Sequence, residues 1–241
     1  MITLFKKIRK SLIGSNGGKK YLLYAVGEIM LVVIGILIAL QVNNWNESRK
    51  ERAFEVNILM QFKKDLEKNL TDLKLNQRYQ ERNISSSKIL LDHMKSENAF
   101  HDSLEVHFAN VFIWTKFVVN TGAYQTLQSR GVELISDLEL RDKILSIYEK
   151  ELTWSQTFEQ IIIDKVEHFR NIEGGKYFVD LNVIGGKSRI KDYGSLRNDN
   201  RFIYFLNSQI ADVFYFNDVT NGYIESHNNV VSMIETALSE I

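Results

Sequence analysis

Tyr21-Leu-Leu-Tyr-Ala-Val-Gly-Glu28, Ile29-Met-Leu-Val-Val-Ile-Gly-Ile-Leu-Ile-Ala-Leu40 and Gln41-Val-Asn-Asn-Trp45 form one unbroken stretch whose reading decides the fold. Leu22 to Val42 makes 21 residues; as a helix rising about 1.5 Å per residue they cover roughly 31 Å, the thickness of a hydrocarbon core. Twelve of the residues from Leu22 to Leu40 are Leu, Ile or Val. Each favours insertion by about 0.3–0.6 kcal/mol, and together they outweigh the roughly 2.5–3.5 kcal/mol cost of one central charge. The stretch therefore predicts a transmembrane helix over 21–45, with Glu28 as its single ionisable group. A secretory leader would carry a shorter apolar core ending at small residues, so an uncleaved anchor is expected.

The flanks give the span a direction. Residues 1–20 hold Lys6, Lys7, Arg9, Lys10, Lys19 and Lys20 and no acid, so this segment carries +6 and the remainder −6 of a chain with no net charge. Basic residues concentrate on the cytoplasmic side of a span, so the N-terminus is expected in the cytoplasm and residues 46–241 outside it, in the periplasm of a double-membraned bacterium. Leu4, Phe5, Ile8 and Leu12 share one helical face opposite Lys6, Lys7, Arg9 and Lys10. That pattern suits either a basic amphipathic helix in contact with lipid headgroups or a plain positive flank. Tyr21, Tyr24 and Trp45 fit the interfacial aromatic belts. The absence of cysteine excludes disulfides and thiolate metal sites, and the absence of proline suits long helices.

Beyond Trp45 the helical pattern continues. Leu59, Phe62, Leu66, Asn69, Leu73, Asn76, Gln80 and Asn83 alternate in steps of four and three, with asparagines recurring seven apart. Buried asparagine at such positions fixes register or oligomeric state; the alternative is a solvated stalk around Leu66, Leu70 and Leu73. A break is expected at 98–103, then a core helix or a buried strand over the apolar segment 104–119, the helix being preferred because its surroundings are helical. A short helix with a glycine cap fits 120–131, and Ser136-Asp-Leu-Glu139 reads as a capping box. The next helix should bury Leu140, Ile144, Ile147, Trp154, Phe158 and Ile161 on one side and end at Gly174-Gly175. Residues 176–197 read as irregular, with a short hairpin at 177–183. A last helix carries Ile203, Leu206, Ile210, Val213, Asn217, Thr220, Ile224, His227, Val231, Ile234 and Leu238 at coiled-coil spacing. The expected fold class is all-α: one transmembrane helix plus an extracytoplasmic helical bundle of four to five helices.

The segment Tyr24-Ala-Val-Gly-Glu through Gln41-Val-Asn-Asn-Trp-Asn-Glu47 resembles an uncharacterised bacterial family of single-span membrane proteins. They share a basic start, a Gly-Glu-containing span with this ending, and a helical remainder. Residues 120–148, with a Tyr-x-x-Leu-x-x-x-Gly core at 124–131, are similar to that family's second recurring block. The resemblance implies this topology and a bacterial envelope location, and it implies no reaction.

Glu28 is the foremost candidate for function, because ionisable residues within a span face protein or a water-filled cavity. Glu28, Val32, Gly35 and Ala39 share a face, and Gly35-x-x-x-Ala39 permits close helix approach. Glu28 is expected to act as hydrogen-bonding glue between copies, to pair with a basic residue in another protein's span, or to line an ion path. His93, Glu97, His101 and Glu105 lie four apart, but the expected break at 98–103 argues against a metal site. His168 and His227 sit on apolar stripes and read as core histidines. Gly185-Gly-Lys-Ser188 lacks the first glycine and the strand of a phosphate loop. No cofactor is expected, and a domain of charge −5 argues against a nucleic-acid partner. The expected function is non-catalytic: an oligomeric scaffold or interaction protein of the envelope. A ligand sensor or accessory subunit is the alternative, and a pore using Glu28 the third reading.

Overall fold

The computed structural model describes residues 18–96 and 98–240. The chain is mostly helical and divides into two compact units, residues 1–54 and 55–241. Helix α1 (Gly18–Lys95) contributes to both. The lipid-contact candidates Lys6, Lys7, Arg9 and Lys10 lie outside the described residues.

In the first unit, α1 contains the one helix segment among the described residues that is long and apolar enough to cross a membrane. Its most hydropathic 18-residue window has no residue buried. At its far end the Arg49 guanidinium lies 5.7 Å from the centre of the Trp45 ring.

In the second unit, Lys95 ends α1, and the break expected near 98 follows. Helix α2 (Leu104–Asn110) is short, and α3 (Gly122–Arg130) follows a segment with neither helix nor strand. Gly131 closes α3 at φ +109°, a conformation that only glycine adopts without strain. Helix α4 (Leu138–Leu145) runs through one π-helical stretch, Ser146–Glu151, into α5 (Leu152–Ile172). After a single turn, α6 (Gly174–Tyr177), strands β1 (Phe178–Asn182) and β2 (Lys187–Ile190) form an antiparallel hairpin. Helix α7 (Tyr193–Arg197) leads into α8 (Asn200–Ser239).

Helix α8 runs antiparallel to both α1 and α5. Lys63 meets Glu235 and Gln80 meets Thr220, while Phe158 stacks on Phe216 and Phe169 on Phe205. The core centres on Phe108, Phe112, Phe169, Phe178, Phe202 and Phe205, which pack tilted, stacked or edge-on, as aromatic quadrupoles prefer.

Four expectations change. The fold is mostly helical, as the expected class implies, and the hairpin within it spans 178–190 rather than 177–183. The helix expected over 104–119 stops at Asn110, because the β-branched run Val111, Ile113, Thr115, Val118 and Val119 disfavours helix and polar side chains from α1 hold its backbone. The cap of α4 is Asp137, which accepts from Leu140 N at 3.1 Å. Ser136 instead donates its N–H and hydroxyl to Glu55 Oε1, both at 2.7 Å.

The fourth change is one of register. Leu140, Ile144 and Ile147 are buried as expected, but Trp154 and Ile161 are exposed and Phe158 only half-buried. The buried residues of α5 are Ser155, Glu159, Ile162, Ile163, Val166 and Phe169, a stripe displaced by one position. The π-helical stretch is the cause: it adds one residue to a turn and rotates the following helix by about 100°.

Candidate functional site

Three arrangements concentrate polar chemistry or unpartnered surface. The first is a ladder. The stripe from Leu59 to Asn83 is buried along its length, and its polar members hold the segment 111–123. Asn83 Nδ2 donates to Val111 O at 3.1 Å and Ile113 O at 3.2 Å; Asn76 Nδ2 donates to Lys116 O at 3.2 Å. Asp72 accepts from Val118 N at 3.0 Å, Asn69 Oδ1 from Asn120 N at 2.8 Å, and Asp65 from Ala123 N at 3.0 Å. From the other side Glu159 Oε1 accepts from Phe117 N at 2.9 Å, and Gln209 Nε2 donates to Val111 O at 3.1 Å.

Between Asn69 and Asn83 the helix rises about 21 Å, while their partners Asn120 and Ile113 are seven residues apart. At about 3 Å per residue the segment is close to fully extended. Seven helical residues therefore match three or four extended ones, and that equality sets the asparagine period. The strap has side chains for strand neighbours.

The second arrangement is a buried polar cluster where the π-helical stretch meets α8. His227 is 1% exposed. Its Nδ1 lies 2.8 Å from Tyr223 O, and its Nε2 has no partner. Burial lowers its pKa to about 4, so the imidazole is neutral near pH 7. Glu151 Oε1 accepts from Ser226 Oγ at 2.7 Å, while Oε2 is unpartnered and 3.9 Å from His227 Nδ1. Burial raises the carboxyl pKa of Glu151, and likewise that of Glu159; it also pushes the Tyr223 hydroxyl up to about 12.

The third is an open groove of about 720 Å³ between α5 and α8, floored by Phe169 and Phe205 and edged by Lys165, His168, Arg201 and Tyr204. Its cations are matched within the chain. Lys165 pairs with Asp212 and donates to Ser208 Oγ at 2.6 Å. Arg201 binds Asp199 at 2.8 Å and lies 3.4 Å from Glu173. Asp199 also accepts from the Tyr177 hydroxyl, and these donors hold its carboxyl well below the usual range.

The residues predicted from sequence fall out as follows. In the first unit Glu28, Val32, Gly35 and Ala39 are exposed, and a Cβ added at Gly35 would meet nothing within 4 Å. The Tyr24 hydroxyl, one turn before Glu28, is buried without a partner. His93 lies near the end of α1, its Nδ1 2.6 Å from the Tyr193 hydroxyl, while His101 lies in the following loop beside Ser103. The two histidines thus share no helix, and Glu97 is outside the described residues. His168, expected in the core, lies exposed on the groove wall because of the register shift. The strap, the Glu151–His227 cluster and the groove were not read from sequence. Only the heptad of asparagines signalled the first.

These features define a mostly helical protein with one N-terminal helix able to cross a membrane by length and composition. The chain belongs to DUF6090, a family of unknown function, whose profile matches residues 28–208. No curated protein and no solved structure matches the chain.

Proposed function

We propose that this chain is a non-catalytic, single-span protein of the bacterial inner membrane that acts as an oligomeric scaffold or interaction protein. Its N-terminus lies in the cytoplasm and Lys6, Lys7, Arg9 and Lys10 contact lipid headgroups. Residues 46–241 form a periplasmic domain built as a bundle of four to five helices. The observation that carries the reading is the segment from Leu22 to Val42, whose large apolar side chains are all exposed. A soluble fold would bury such a stripe; a bilayer covers it without protein.

Within the span, Glu28, Val32, Gly35 and Ala39 form the packing face. The carboxyl of Glu28 hydrogen-bonds across helices, and the small residues admit the neighbour. Single cysteines at Gly35 or Ala39 in this cysteine-free chain test the point. Oxidation in native membranes yields a homodimer, and its absence at both positions overturns self-association through the span. The α5/α8 groove supports a second reading, a sensor or accessory subunit, since about 720 Å³ is the size of a small-molecule site.

A further inference from the structure

We infer that the outer face of α5 and α8 is an interface between two copies of this chain. The inference rests on the scaffold reading above and adds a second contact outside the span. Trp154, Ile161 and Ile172 line the α5 side; Tyr204 and Tyr215 line the α8 side, with Phe214 on the crest of α8. Their exposure runs from 49% to 74%.

The π-helical stretch put them there. Continued at 3.6 residues per turn, the stripe through Leu140, Ile144 and Ile147 would bury Trp154, Phe158 and Ile161. The extra residue turns Trp154 and Ile161 outward and buries Ser155 and Glu159 instead. Glu159 is thereby taken out of water, at a cost visible in its raised pKa and only partly offset by its bonds to Phe117 N and Ser155 Oγ. The shifted register also buries Ile162, Val166 and Phe169, so the apolar surface it leaves outside, Trp154 and Ile161, is the part of α5 the domain's own core does not use. Shifts of this kind gather at functional positions.

The area fits a dimer. Large side chains present roughly 200 Å² each, so six of them, half to three-quarters exposed, offer on the order of 600 Å² of apolar surface. A standard interface covers about 800 Å² per partner, a little over half of it apolar. Apolar surface on this scale is at the upper end of what monomers expose, and patches of that size are often functional.

The charge pattern favours an apolar partner. Lys165 is matched by Asp212, Arg201 by Asp199, and Lys176 by Glu173 at 2.5 Å. A partner recognised by opposite charge would find these cations already paired, whereas a second copy brings the same apolar side chains. A shared membrane anchor would also hold copies at high effective concentration.

Single cysteines at Ile161, Ala211 and Tyr204 of the full-length chain, treated in native membranes with a short bis-maleimide, test the inference. Homodimer is expected from at least one position. Adding Trp154→Arg and Tyr215→Arg should lower its yield by about ten-fold or more, the effect of losing anchor residues. The exposed arginines should leave the melting temperature unchanged, and the Gly35→Cys dimer should persist. If Gly35→Cys crosslinks but none of the three does, the outer face is no self-interface and the span reading stands. If none of the three crosslinks and neither Gly35→Cys nor Ala39→Cys does, both readings fall. Cysteines shielded from a water-soluble maleimide until detergent is added, and giving no dimer, would assign the face to lipid and overturn the inference.

Discussion

Replacing Asn83 with leucine separates two meanings of a buried asparagine heptad. In a coiled-coil seam such asparagines reduce stability in exchange for register, so an apolar substitute raises the melting temperature. In the strap geometry the sign reverses. Asn83 is 1% exposed and its amide serves Val111 O and Ile113 O. Val111 O keeps a second donor in Gln209, so the substitution leaves two groups without this partner, the Ile113 carbonyl and the buried Ser87 hydroxyl, which donates to Asn83 Oδ1 at 3.4 Å. A buried unsatisfied carbonyl costs about 1–3 kcal/mol, and about 2 kcal/mol corresponds to roughly 4–8 °C for a domain of this size. Thermal unfolding of the full chain in mild detergent, followed by circular dichroism, reads the shift; hydrogen exchange should show the amides of Phe117, Val118 and Asn120 opening faster. Asn207→Leu, on the exposed face of α8, is the control and should stay within about 0.5 kcal/mol. An unchanged or higher melting temperature for Asn83→Leu would refute the strap account.

Three further outcomes are expected. His227 has a folded pKa of about 4 against about 6.5 unfolded, so the unfolded chain takes the proton first and stability falls as pH drops through that window. Glu151 and Glu159, raised by burial, take protons in the folded state first and act in the opposite sense, which makes a difference measurement necessary. Between pH 7 and pH 5 the natural chain should lose about 2 kcal/mol more than His227→Gln in urea titrations. Asp199 caps α8 by accepting from Arg201 N at 2.8 Å and also holds the Tyr177 hydroxyl; Asp199→Ala should cost about 1–2 kcal/mol in the same titrations. Deleting Lys150 from the π-helical stretch should return α5 to the unshifted register and withdraw Glu159 from the Phe117 amide. Exchange at that amide should rise sharply, whereas Lys150→Ala should leave it unaltered.

The span was legible because a bilayer imposes a length and a composition that a short window can satisfy alone. The asparagine heptad was legible as a pattern but ambiguous in meaning, since a helix and an extended strap can both match a rise of about 10 Å. The strap itself was hidden. Val111 to Val119 has the apolar density of a core element, and its side-chain hydrogen-bond partners lie 28 to 98 residues away, beyond any local rule. The same distance hides Glu151 and His227, which α4, the π-helical stretch and α8 bring together across 76 positions. Each histidine stripe looked like core; His227 is core, and His168 is not.

That difference has a single origin. Up to Ile147 the periodic pattern and the buried face agree, and from Trp154 to Ile161 they differ by one residue. Periodicity records which residues would pack together in a continuous α-helix, and it cannot register a turn that widens by one residue. The apolar residues of α5 spell out two registers, and the first would put Trp154, Phe158 and Ile161 inside while leaving Ile162, Val166 and Phe169 out. The chain adopts the other, placing a carboxylate in the core to hold the strap and turning two of the three outward. Both halves of that exchange are coupled. Glu159 reaches Phe117 only in the register that exposes Trp154, so the strap's anchorage and the outer apolar face of α5 stand or fall together. Loosening the strap therefore gives the domain a route to withdraw that face, and a change at Asn76 or Asn83 should alter crosslinking at Ile161 although neither asparagine lies on it.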